Sequence, residues 1–199
     1  MKLTILYSLI FEPVIIKRAV KVMRAGGIIL YPTDTVWGLG CDATNAEAVA
    51  RIYDIKRRPD SKALALLTDS IDRLATYVET VPDVAHDLLA TADTPLTIIY
   101  PKARHLAPNL IAEDGSVAIR VTAERFSRRL CKKMGVPVVS TSANISGLPT
   151  AQIFAQIPEE IKQEVDYIIP LRQTESVATR PSSIIKLETD GVFKVIRPA

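Results

Sequence analysis

The stretch GGIILYPTDTVWGLG, residues 26–40, decides how the chain folds. Four consecutive apolar residues, Ile28 to Tyr31, stand between a Gly-Gly stop and Pro32. An uninterrupted apolar run of that length is what a strand buried on both faces requires, and Pro32 ends it. Hydroxyls and a carboxylate follow at once in Thr33, Asp34 and Thr35, and the ends of such strands are where α/β sheets place ligands. Gly38 and Gly40 let backbone approach a partner closely, but Gly-Leu-Gly lacks the third glycine of a dinucleotide fingerprint. Taken alone, the segment also reads as an ordinary glycine-rich turn.

Upstream, 13–25 alternates Lys17, Arg18, Lys21 and Arg24 with Ile15, Ile16, Ala19, Val22 and Met23 at helical spacing, and Gly26-Gly27 stops it. The preceding run LTILYSLIF, residues 3–11, is too short to span a bilayer and is read as a strand closed by Glu12 and Pro13. Downstream, Thr44 to Glu47 has the spacing of a capping box, with Val49, Ile52 and Tyr53 as the apolar face of a helix that Pro59 ends. Further strands are expected at 63–67, 96–100, 117–121, 136–140, 167–169, 183–187 and 192–196, and helices near 70–79, 83–91, 123–134 and 150–157. Helices alternate with strands early and strands dominate late. The fold class is therefore α/β, an open, twisted, mixed sheet with helices packed on it.

With 199 residues, no linker and no internal repeat, one domain over 1–199 is the expectation. The composition, 48% hydrophobic and 24% charged, is that of a globular protein. A formal charge of +3, from 25 basic and 22 acidic side chains, excludes a histone-like polycation and makes charge distribution the informative quantity. Cations cluster at 17–24, 56–62 and 128–133; for the first and third, a solvated helix face is the simpler reading. Cys41 and Cys131 show no ligand spacing and only two histidines exist, so neither a structural zinc nor a resident metal is expected. Free thiols fit a reducing, cytoplasmic setting, and no membrane partner is expected.

Three segments carry chemistry. KRRPDSK, residues 56–62, puts Lys56, Arg57, Arg58 and Lys62 at a helix end. The helix dipole accounts for one or two of these charges, and phosphate is the anion that suits the remainder. No Walker A loop occurs. STSANISGLPT, residues 140–150, passes from an apolar strand into small hydroxyls and an amide able to bond a ribose, a phosphate or a carboxylate. No Gly-x-Ser-x-Gly elbow supports a serine hydrolase. In SVAIR, residues 116–120, alternation places Ser116, Ala118 and Arg120 on one strand face. Arg120 there either pairs with a structural carboxylate or meets an anionic ligand, and Arg197 ends the last strand.

Taken in order, PTDTVWGLG, KRRPDSK, SVAIRV, STSANISGLPT and the terminal IRP resemble the YrdC family of single-domain threonylcarbamoyl-AMP synthases, from about Gly26 to Arg197. The resemblance implies an open twisted α/β sheet around a basic concave cavity. It also implies an activity, the joining of L-threonine, bicarbonate and ATP, with Mg²⁺, into threonylcarbamoyl-adenylate and pyrophosphate. A tRNA-modifying threonylcarbamoyl transferase complex then acts on adenosine-37 of tRNA. By the same resemblance Thr33, Arg120 and Ser140 hold threonine, with Arg120 on its carboxylate. Lys56, Arg58 and Lys62 neutralise the triphosphate, and Ser116, Ser142, Asn144, Thr150 and Arg197 position the nucleotide together with Arg58 and Lys62. Lys62 and Leu67 stand where longer members have Asn and His, which places the chain with the short branch; the Asp93-Thr94-Pro95 and Ala199 departures bear on the ATP lid. The alternatives are a module that grips double-stranded RNA or tRNA without catalysis, opposed by an aromatic content of only 6%, and a relative that forms carbamoyl-adenylate.

Overall fold

The computed structural model describes residues 2–58, 64–177, 179–188 and 192–198, with side chains from Phe11 onward. Helix α1, Lys2–Arg24, covers both the expected helix and the run before it. The expectation of a strand at 3–11 is corrected. A helix satisfies its own backbone, whereas a strand there would need a neighbour, and Pro13 within the helix removes only one donor. Ile15, Ile16, Ala19, Val20 and Met23 are buried. Gly26 ends the helix at φ 81°, with Gly27 N–H bonded to Val22 O at 2.9 Å and Gly26 N–H to Met23 O at 3.0 Å.

Strand β1, Ile29–Tyr31, then runs between two cores. Ile28 and Leu30 enter one cluster while Ile29 and Tyr31 enter the other, which is why the run is apolar at every position. Strand β2, Gly38–Gly40, pairs antiparallel with β1. Helix α2, Ala46–Ile55, is capped by the Asn45 side chain, which accepts from Ala48 N–H at 3.0 Å. Thr44 bonds Asp42 instead, so the cap lies one residue beyond the expected box.

The remaining elements are β3 Ala65–Thr68, α3 Leu74–Tyr77, α4 Asp83–Thr91, β4 Leu96–Tyr100, β5 Val117–Val121, α5 Arg125–Met134, β6 Val138–Val139, β7 Thr141–Ser142, α6 Glu159–Glu164, β8 Tyr167–Ile168, β9 Ser183–Leu187 and β10 Phe193–Arg197. The helix expected near 150–157 is replaced by a single 3-10 turn, Phe154–Gln156, whose Phe154 ring packs on Trp37 at 4.8 Å between centroids. The sequence pattern there records that aromatic contact, not a helical period.

The strands form two mixed sheets, β7-β2-β1-β8 and β10-β9-β4-β5-β3-β6. Parallel pairs, β1 with β8, β3 with β5 and β4 with β9, occur beside antiparallel ones in both sheets. The class expected from the sequence holds, with the strands divided between two sheets. The chain passes from one sheet to the other within four residues. Val139 pairs with Leu66 of β3, and Thr141 pairs with Leu39 of β2. Ser140 lies at that step, its N–H bonded to Ala65 O at 2.8 Å.

Candidate active site

Because the chain changes sheets at Ser140, the two sheets diverge from that point and a cleft of about 700 Å³ opens between them. Its floor is one face of the larger sheet. Strand alternation puts Ala118 and Arg120 of β5 with Ser116 just before it, Thr97 and Ile99 of β4, and Ile184 and Lys186 of β9 toward the cleft. The intervening Val117, Ile119, Ile98, Tyr100, Ile185 and Leu187 are buried in the core. Across the sheet, Arg120, Thr97, Ile184 and Arg197 lie opposite one another on four successive strands. The other wall is Thr35, Val36, Gly38 and the 140–142 strand.

Of the residues singled out in the sequence, Arg58, Ser116, Arg120, Ser140, Ser142, Thr150 and Arg197 all line this cleft. Arg120 is 5% exposed and its Nη2 lies 2.9 Å from Asp34 Oδ1 and 3.4 Å from Thr35 Oγ1, while its Nε has no hydrogen-bond partner among the described residues. The sequence left open a structural carboxylate or an anionic ligand. The structure supplies the carboxylate, Asp34, and leaves one guanidinium nitrogen without a described partner beside the cleft. Arg197 donates from Nε and Nη2 to Ser182 O at 2.9 and 2.7 Å. Burial lowers its pKa, and the Arg120 charge adds to that shift; burial lowers Arg58 as well. Cations held close together and partly desolvated favour an anion between them.

The basic segment 56–58 does three different jobs. Helix α2 ends in a Schellman turn whose left-handed residue is Arg57, φ 47°, with Arg57 N–H bonded to Asp54 O at 2.9 Å and Arg58 N–H to Tyr53 O at 3.0 Å. That reversal sends consecutive side chains apart. Arg58 enters the cleft, and Arg57 pairs with Glu160 at the surface at 2.9 Å. Lys56, 1% exposed, turns inward and donates from Nζ to Ser142 O at 2.5 Å and Asn144 O at 2.8 Å. Its backbone C=O accepts from Ser146 N–H at 2.8 Å. Lys56 thus fastens the 142–146 loop and does not line the cleft.

Two other expected ligands are likewise structural in this arrangement. Thr33 Oγ1 donates to Val36 O at 2.8 Å and accepts from Thr35 N–H at 3.0 Å, closing the 33–36 turn behind the cleft wall. Asn144 Nδ2 donates to Ile145 O and Leu148 O at 3.0 and 2.7 Å, folding the 144–148 loop on itself. Small polar side chains next to turns bond local backbone first. Lys62 lies outside the described residues. The glycine spacing of 38–40 also serves the protein itself. A Cβ on Gly40 would meet Tyr31 Cε1 at 2.7 Å and Val139 O at 3.0 Å.

A family model, Sua5_yciO_yrdC, described as "Telomere recombination", matches residues 21–199. The chain belongs to the Sua5/YciO/YrdC family. It is 39% identical over 182 residues to a threonylcarbamoyl-AMP synthase of Pseudomonas aeruginosa, covering 91% of this chain and 95% of that one. It is 35% identical over 184 residues to a threonylcarbamoyl-AMP synthase of Pseudoalteromonas translucida, covering 90% and 96%. Among solved structures, that of P. abyssi Sua5 complexed with L-threonine superposes with a TM-score of 0.81 at 28% identity, covering 92% of this chain and 53% of that one.

Within this Sua5/YciO/YrdC domain, cleft residues that the sequence reading passed over are Thr97, Ser182 and Lys186, together with Asp34 as the partner of Arg120. Thr97 and Lys186 were reachable, since alternation along 96–100 and 183–187 separates them from the core positions. Ser182, buried and bonded through its hydroxyl to Thr97 Oγ1 at 2.8 Å, precedes its strand and follows no period.

Proposed function

We propose that this chain is a threonylcarbamoyl-AMP synthase, a nucleotidyltransferase that joins L-threonine, bicarbonate and ATP and releases pyrophosphate. The observation that carries the reading is the buried Arg120, whose Nε has no partner among the described residues, in a cleft that Arg58 and Arg197 also line. One cation suits an amino-acid carboxylate and the others a polyphosphate. Identity of 35% and 39% to two relatives named for this activity supports it.

In the reaction the threonine amine adds to bicarbonate with loss of water, or to its dehydrated form with loss of a proton to solvent, and the carbamate oxygen attacks the α-phosphorus. A new O–P bond forms as the bond to the β-phosphate oxygen breaks, and pyrophosphate leaves with Mg²⁺, which enters as part of the nucleotide substrate. No strong base or covalent nucleophile is needed. The work of the site is aligning two anions that repel each other and offsetting charge at the phosphates. Arg120 holds the threonine carboxylate, with Ser140 beside it. Arg58, Ser116, Ser142, Thr150 and Arg197 hold the nucleotide, and Lys62 completes the phosphate grip. Lys56, Thr33 and Asn144 act on the walls rather than on the substrates. The product passes to a threonylcarbamoyl transferase complex in the cytoplasm.

Pyrophosphate release measured with each substrate omitted in turn tests the assignment. It is expected to require ATP, bicarbonate and L-threonine together; turnover with carbamoyl phosphate in place of threonine and bicarbonate overturns it. Arg58→Ala is expected to lower kcat/KM by at least about 10- to 100-fold, the equivalent of one charge-assisted hydrogen bond, with an unchanged circular dichroism spectrum. Full activity in the folded variant removes Arg58 from the site.

A further inference from the structure

Helices α1 and α5 lie side by side and run in the same direction. Glu12 near the start of the described face of α1 pairs with Arg125 and Arg129 of α5, and Arg24 at its end donates to the carbonyls of Lys133 and Met134. Read from sequence, their basic clusters are two separate solvated faces. The packing joins them into one. Lys17, Lys21 and Arg24 of α1 and Arg128, Lys132 and Lys133 of α5 are all exposed. Glu12, the acid on this part of α1, is 3% exposed and engaged by two arginines, and α5 contains no acid.

At the N-terminal end of the same helix the exposed residues change character. Phe11 is 43% and Val14 65% exposed, and the helical run before them, LTILYSLIF, contains no charge. A cationic face that continues into the exposed apolar side chains of Phe11 and Val14 has the two components of an interfacial element: attraction to anionic headgroups and apolar side chains for the acyl boundary. A phosphate backbone offers no apolar surface to the exposed Val14. A second copy would set like charges against each other. No helix among the described residues is long and apolar enough to cross a membrane, so the element would lie on the surface.

The geometry points to peripheral binding of an anionic lipid surface by the α1–α5 face, remote from the cleft and independent of the reaction proposed above. The test is flotation of the 199-residue chain with vesicles of pure phosphatidylcholine and with vesicles containing phosphatidylglycerol. At low ionic strength, binding to vesicles with about one-third phosphatidylglycerol is expected to exceed binding to neutral ones by at least ~10-fold and to fall as salt is raised. The double variant Lys17→Glu/Lys21→Glu is expected to lose that excess, Val14→Asp to weaken it severalfold, and both to keep wild-type pyrophosphate release. Equal binding to the two vesicle types, retention by the charge-reversed variant, or capture of a double-stranded RNA oligomer by this face with no vesicle binding overturns the proposal.

Discussion

At the scale of single residues, the cations of this protein separate into those that line the cleft and those that brace its walls, and the partners each meets after packing tell them apart, since Arg120 and Lys56 are both buried. Lys56 illustrates the second kind. Burial and the nearby Arg58 charge bring its pKa from 10.5 down to about 8. A neutral amine still has two N–H donors for its two carbonyl acceptors, so the loop stays fastened in either state. Because the folded-state value is the lower one, the unfolded chain binds more protons between about 8 and 10.5, and stability gains from this group as pH rises through that window. Lys56→Met, which removes the side-chain donor to Asn144 O and leaves Ser142 O with only its bond from Asn144 N–H, is expected to destabilise by about 1–3 kcal/mol. In urea titrations the gap between wild type and variant should widen from pH 7.5 to pH 9.5, both about one pH unit or less from the window's limits; a gap that narrows contradicts the burial argument. The sequence showed that residues 56–62 were a cationic cluster. It carried no sign of which cation faces inward, since that follows from where the 142–146 loop passes.

At the scale of elements, the division of labour in residues 56–58 depends on one backbone conformation. Arg57 occupies the left-handed region where glycine is the usual residue, as at Gly26 after α1. Arg57→Gly is expected to be neutral to stabilising by up to about 1 kcal/mol, since the exposed pair with Glu160 contributes little. Arg57→Val, whose branched Cβ resists positive φ, is expected to cost at least about 1 kcal/mol and to impair pyrophosphate release by misdirecting Arg58. Equal stability and activity of the two variants would detach the turn from the site. Strand and helix extents at 96–100, 117–121, 183–187 and 83–91 were legible because period-2 and period-3.6 patterns are local. The run at 3–11 and the segment 150–157 were not, because apolar residues without a decisive period take the conformation their neighbours allow.

At the scale of the whole molecule, the site is a consequence of two sheets that the chain links directly, passing from β6 to β7 at Ser140. Arg58, Arg120, Lys186 and Arg197 come from four parts of the chain and meet only across that divergence. Lys186 pairs with Asp114 at 2.7 Å, and among the described lining residues the four cations Arg58, Arg120, Lys186 and Arg197 outnumber the acids Glu113 and Asp114, so the cleft is net cationic. Such a field raises the local concentration of a polyanion and is weakened by salt. The KM for ATP is accordingly expected to rise severalfold between about 0.05 and about 0.5 M ionic strength, with a smaller change for zwitterionic threonine. Steady-state kinetics in a non-binding salt decides it, and parallel shifts for both substrates would argue against the cleft field.

The amino-acid order alone determined the α/β class, the doubly buried strand after Gly26-Gly27, the outward face of β5, and the three polar segments that border the cleft. Those are readings of local periodicity and of residue chemistry, which neighbours in sequence are enough to express. Only the tertiary structure decided that the strands divide between two sheets, that Arg120 faces Asp34, and that Lys56, Thr33 and Asn144 brace the walls while Arg58 reaches the cleft. Each of those outcomes depends on which backbone carbonyl or carboxylate lies within hydrogen-bond distance after packing, and such partners stand up to 88 residues away in the chain.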